Sequence, residues 1–242
     1  MLRYSINSMR KLLFILILIC TLPIHAQTKG MFSKYPIINL ENFDKQRVHW
    51  GYFLGFNAFD FKIDYNENPQ TDIAVKGVTG FNVGLVGNLR LHEYIDLRFE
   101  PGLYYTQRNL TYTGFTRTLD AEREVKSTYI HFPLLLKFSS LRFGNVRPYL
   151  LGGGSFTLNL SSNSKSQDDN EQQRFRVKPW TKNYELGFGV DFYLEYFKFS
   201  PSIRGVFGLG DELIRDNDPN SPWTGNINSL KSRAVFINFT FH

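Results

Sequence analysis

Nine charged residues in five segments share one spacing: Arg90; Asp96, Arg98 and Glu100; Lys137; Glu185 and Asp191; Lys198 and Arg204. Within a segment they stand an even number of positions apart, which places them on one face of a strand. Both signs are present. The chemistry open to such a set is a polar conduit or binding cup if water fills the space, or a salt-bridged plug if the charges pair. Acid–base catalysis needs more: a base, an orienting carboxylate and a nucleophile within mutual reach. His49 and His131 are the only histidines in the core of strand-like segments. His131 has Thr128 and Tyr129 nearby in sequence, but no spacing sets an acid beside it. The acidic loops Asp168-Asp169 and Asp216–Asp218 match no calcium-loop spacing and read as solvated charge. No catalytic, cofactor or metal residues are assigned.

The elements that carry these residues are strands. In Gln46–Ile63 the large residues Trp50, Tyr52, Leu54, Phe56 and Ala58 alternate with His49, Gly51, Phe53, Gly55 and Asn57. A period of two means a strand with two unlike faces. The pattern returns in Val78–Arg90, Tyr94–Leu110, Val125–Phe138, Val146–Leu160, Trp180–Leu194, Phe197–Leu209 and Lys231–His242. No further layer remains to cover eight apolar faces. A closed barrel with its apolar side in lipid satisfies every backbone group without one. The chain is therefore read as all-β, an eight-stranded antiparallel transmembrane β-barrel of the outer-membrane type. An interior of that size is just wide enough for its own side chains, which favours the salt-bridged plug. Pro133 cannot donate to a ladder and predicts a bulge or break. Gly152-Gly153-Gly154 predicts close backbone approach or a bend in the wall.

The connections alternate long and short, beginning with the long Asp64–Gly77. Short turns belong on the periplasmic side, so both termini are expected there. With those directions Trp50, Phe138, Phe197 and Phe241 fall near the periplasmic rim of the lipid face, where aromatic residues are favoured.

Ahead of the barrel, Arg3, Arg10 and Lys11 precede the apolar run Leu12–Ile19, and a small residue, Ala26, precedes Gln27. This is the form of a signal peptide over 1–26, complete even if translation starts at Met9. The run is short for a membrane anchor. Ile19 is bulky where a lipoprotein site at Cys20 would need a small residue. Residues 27–45 follow as a periplasmic segment and 46–242 as the barrel domain. Cys20 is the only cysteine, so a processed chain has no disulfide, zinc–thiolate site or thiol nucleophile. Processing leaves 25 basic residues against 22 acidic, a net charge of +3. That balance does not call for nucleic acid; the expected surroundings are outer-membrane lipid.

Asn39, Leu40, Phe43, Asp44 and Lys45 lie before the first strand, where the barrel does not need them for lipid burial. Their mixture of apolar and charged character suits a partner-docking surface. The alternative is a segment tucked into the barrel mouth.

The stretch NLENFDKQRVHWGYFLGFNAFDFKIDY, Asn39–Tyr65, resembles the opening of the PorT family of Bacteroidota outer-membrane proteins. The shared features are Asn39-Leu40, Phe43-Asp44 with basic residues after them, Gly51, Gly55-Phe56-Asn57 and Phe61-Lys62. Tyr129–Lys137 and Arg147–Gly152 are similar to that family and to a much broader set of barrels. The resemblance implies a role in the type IX secretion system, which exports proteins with a conserved C-terminal domain and in some bacteria supports gliding. It implies no active site, so the protein is expected not to be an enzyme. A generic porin-like or structural barrel, and a barrel enzyme acting on lipid or peptide, are the rival readings.

Overall fold

The structure, a computed structural model, describes residues 37–66 and 73–242. The expected signal peptide and most of the segment after it lie outside these residues. From Ile38 to His242 the chain is one compact unit. It contains β1 (Val48–Tyr65), β2 (Ile73–His92), β3 (Ile95–Phe99), β4 (Gly102–Tyr112), β5 (Glu122–Ser139), β6 (Val146–Asn159), β7 (Trp180–Tyr193), β8 (Lys198–Gly208) and β9 (Ile227–Phe241). Every neighbouring pair is antiparallel. β1 pairs with β2 on one side and β9 on the other, which closes the sheet into a ring. β3 and β4 both run between β2 and β5. They are the halves of one wall strand, so the ring has eight positions, as the alternation predicts.

The break falls at Glu100-Pro101 and not in β5. The sequence points to Pro133 as the irregular position, yet β5 pairs with β6 continuously through Pro133 and Ser155. The two prolines meet the gap from opposite sides. Neither has an N–H to give to the ladder, and what spans the gap is Glu100 N to Pro133 O at 3.4 Å. Of the three central glycines, Gly153 is the close approach: a Cβ there would lie 2.3 Å from Leu134 O.

Several strands are longer than their apolar alternation. β1 extends to Tyr65, β2 starts at Ile73 and not Val78, and β9 starts at Ile227 and not Lys231. The outward positions there are polar: Asp60, Lys62, Lys76, Asn109, Glu124 and Arg233. The inward side holds an apolar cluster, with Phe61, Leu110, Tyr112, Val125, Ile227 and Leu230 all buried, and Arg108, Arg123 and Ser232 are buried on the same side. The wall thus continues beyond the lipid belt, carrying that cluster inside.

Within the belt the outward face is as expected, with Trp50, Tyr52, Leu54 and Phe56 exposed and Phe53 and Asn57 buried. At the rim with the short turns the aromatic residues form a row: Tyr52 stacks on Phe241 at 5.3 Å, Phe241 meets Phe199 tilted at 5.2 Å, and Phe199 stacks on Phe192 at 6.5 Å. Among the described residues no helix is long and apolar enough to cross a membrane; the strands do the crossing.

Candidate functional site

The interior holds two buried charged clusters, one around Glu100 and one around Asp191. Glu100 stands where the wall strand breaks and accepts from Arg204 Nη1 at 2.9 Å; Arg98 Nη1 lies 3.1 Å away as an ion pair without hydrogen-bond alignment. Arg204 Nε lies 3.1 Å from Glu185, close as an ion pair but without hydrogen-bond alignment. The other oxygen of Glu185 meets His131 Nε2 at 2.7 Å, and His131 Nδ1 meets Thr157 Oγ1 at 2.7 Å. Arg98 Nε donates to Asn88 at 2.8 Å, and Asn88 to His49. Nearer the short-turn rim, Asp191 accepts from Lys137 at 2.6 Å and Ser200 at 2.6 Å, with Lys198 at 3.7 Å. The ion-paired side chains of these clusters are at most 3% exposed. A charge removed from water this completely is tolerated only when paired.

Seven of the nine charges singled out from sequence therefore pair: Arg98, Glu100, Lys137, Glu185, Asp191, Lys198 and Arg204. Arg90 and Asp96 are cross-strand partners on β2 and β3, and Asp96 is also opposite Lys137. Both are half-buried, and among the described residues neither makes an ion pair. Sequence reading found no acid for His131; Glu185 supplies one, brought in by the β6 and β7 registers. It also missed Arg108, fully buried and set over the Phe61 ring at 3.8 Å, with Ser232 at 3.2 Å and the Tyr129 hydroxyl as partners. The signal was present: Arg108 has the parity of Arg98, Glu100 and Tyr104 on the same wall strand.

Thr157, His131 and Glu185 have the order of a nucleophile, a base and an orienting acid. The enclosed space beside them measures about 10 Å3. That is room for about one water and for no substrate. Among the described residues, no three His, Cys, Asp or Glu side chains converge to hold a metal.

Both mouths are filled. At the long-loop end Phe175, Val177 and Leu213 from two loops pack on the inward Phe61, Leu110 and Tyr112. A bridge between Val177 and Leu213 ties those loops together. The acidic pairs serve this cap: Asp216 accepts from Asn170 Nδ2 at 2.9 Å, and Asp169 from the Asn217 backbone at 2.9 Å. Glu212, buried in the cap, accepts from Ser232 Oγ at 2.7 Å. Burial raises its carboxyl above the ordinary range despite the two Ser232 donors.

At the short-turn end the segment before β1 enters the mouth. Phe43–Lys45 forms a single 3-10 turn. Asp44 accepts from Tyr193 Oη at 2.6 Å and lies 3.4 Å from Arg147. The Phe43 ring is 5.0 Å from that of His49, with Lys198 Nζ 4.7 Å above it. Asn39 donates to Asn145 at 2.9 Å and to the Tyr193 carbonyl at 3.1 Å. Arg142 stacks on Tyr193 and donates to the carbonyls of Asn39 and Leu40. Leu40 is half-buried with φ 49, a left-handed conformation rare for a bulky residue. Lys45 stays exposed and donates to Asn42 at 2.8 Å.

A closed antiparallel ring with an apolar outer belt, aromatic rim and charged, filled interior defines a transmembrane β-barrel. The family model described as "Outer membrane protein beta-barrel domain" matches residues 26–213, and the chain belongs to that family. The protein is therefore an outer-membrane barrel embedded in lipid. It is similar to the outer membrane protein OprG from Pseudomonas aeruginosa, at 17% identity and TM-score 0.42, over 80% of this chain and 93% of that one. It is similar to Neisserial surface protein A at 9% identity and TM-score 0.42, over 78% and 95%. The outer membrane protein AlkL, solved in DMPC lipid bilayers, is similar at 12% identity and TM-score 0.40, over 88% and 93%. No curated protein matches the chain.

Proposed function

We propose that this protein is a non-enzymatic outer-membrane accessory of type IX protein secretion, a scaffold whose lumen is not a path. The observation that carries the reading is the resemblance of Asn39–Tyr65 to the opening of the PorT family. In this reading the short turns face the periplasm, the long loops face outward, and both termini are periplasmic. The segment before β1 then stands at the periplasmic mouth. Its inner side is engaged by Tyr193, Arg147 and Arg142, while Glu41 and Lys45 are exposed. That mixed surface is where other secretion components dock. The paired interior and the two filled mouths argue against a porin-like role. The space beside His131 argues against an enzyme.

The test is a clean deletion with assay of cargo in the culture supernatant. Cargo should be lost from the medium, retained in the cell, and restored by the wild-type chain. Normal export without the barrel would overturn the proposal.

A further inference from the structure

Two recesses on the outer wall join at one point. The lower, about 530 Å3, lies on the lipid face and is lined by Phe56, Val78, Phe81, Tyr105 and Thr128. Phe81 and Tyr105 are cross-strand partners stacked at 5.0 Å. The recess exists because β2 bulges: the ladder with β4 shifts between Val78 and Phe81. Within the bulge Gly80 is turned toward the lumen, where a Cβ would stand 2.0 Å from Tyr105 O and 2.6 Å from Asn57 Oδ1, so only glycine lets the two strands approach as they do there. The upper recess, about 420 Å3, lies past the apolar belt, between the start of β5 and the β6–β7 loop. It is polar, with Glu122, Arg123, Arg174, Asn163 and Gln173 on its walls. Asn163 and Gln173 both hold left-handed backbone, φ 51 and φ 64. Such conformations concentrate at ligand-binding segments.

Lys126 and Ser161 line both recesses. Going up the wall, the order is an apolar groove, a cation at the boundary, and a polar cleft. We propose that this wall binds a phosphorylated glycolipid of the outer leaflet. An acyl chain lies in the lower groove against Phe81 and Tyr105. The phosphate meets the Lys126 ammonium, and the sugar occupies the upper cleft, where Glu122 and Arg174 receive and supply hydrogen bonds. The Lys126 side chain is 70% exposed and 3.1 Å from Glu124, an exposed pair of the kind that exchanges partners readily. A glycerophospholipid would fill the lower groove and leave the upper one without its sugar. The assignment rests on the outward orientation of the long loops given above.

The probes are diphosphorylated lipid A and, as the rival, phosphatidylglycerol, each added to the detergent-purified full chain and read by native mass spectrometry. The variants are Lys126→Glu at the boundary, Thr128→Trp to fill the groove, and Lys182→Glu on β7 as a charge-matched control outside both recesses. Folding of each is checked by heat-modifiable migration. Orientation is checked by thiol labelling of a Lys165→Cys variant on intact cells. Lipid A occupancy should fall about fivefold or more in the first two variants and stay unchanged in the third. Equal occupancy in all four proteins, or displacement of lipid A by an equal concentration of phosphatidylglycerol, would overturn the site. Labelling of the Lys165→Cys variant only after permeabilisation would overturn the orientation and the site with it.

Discussion

Glu100 and Arg204, 104 positions apart in the chain, meet at 2.9 Å in the middle of the barrel. Arg98 reaches the same carboxylate and Glu185 the same guanidinium, so four wall positions are tied by two residues. Glu100 keeps the inward parity of Arg98 and Tyr104 across the break at Pro101.

Glu100→Ala removes the shared carboxylate and leaves Arg98 and Arg204 short of a partner. The barrel should lose about 3–5 kcal/mol, read as a lower urea midpoint for heat-modifiable migration. Glu100→Ala combined with Arg204→Met should recover part of that loss. A double variant weaker than the sum of the two singles would show that the pair is not the source of the stability.

Export should not depend on the Thr157–His131–Glu185 arrangement as chemistry. His131→Gln should lower barrel stability while cargo export per folded barrel stays at the wild-type level. Loss of export from a fully folded His131→Gln barrel would restore the enzyme reading.

The segment before β1 is open to a double measurement. Leu40→Ser with Phe43→Ser takes the ring away from His49 and Lys198. A docking role predicts a normally folded barrel with failed export. A mouth-plug role predicts weaker folding or a leaky lumen. Normal folding with normal export would remove both roles and with them much of the case for the secretion reading.

Glu212 makes stability depend on pH. Its folded-state pKa is raised by burial, so the folded form prefers the neutral carboxyl. Stability is then lost as pH rises from the ordinary carboxylate value through the folded value. Glu212→Gln removes that loss: it should raise the melting temperature of the cap at pH 8 and change little at pH 4. An equal effect at both pH values would contradict the buried-acid account.

The wall was legible in the sequence because lipid and lumen impose opposite chemistry on adjacent residues. Trp50 and Tyr52 against Phe53 and Asn57 is that contrast in one strand. Legibility failed where lipid ended. Beyond the belt, where Asp60, Lys62 and Arg233 face water, the outward signal fades, and the ends of the strands went unannounced: the last two residues of β1, the start of β2 at Ile73 and the start of β9 at Ile227. The inward parity that revealed Arg98 and Glu100 would also have found Arg108. The pairing of His131 with Glu185 was out of reach, since it depends on two registers set by strands far apart in the chain. The position of the strand break was half visible: Pro133 signalled it, but the backbone that yielded was the one across from it.

The central claim is a sealed, salt-bridged lumen, and planar-bilayer recording tests it most directly. Purified wild-type protein, shown to be folded by heat-modifiable migration, should insert and give no steady conductance. Stable, porin-like steps from the wild type would contradict the account, because they would require Arg98, Glu100, Lys137 and Arg204 to line water in place of one another.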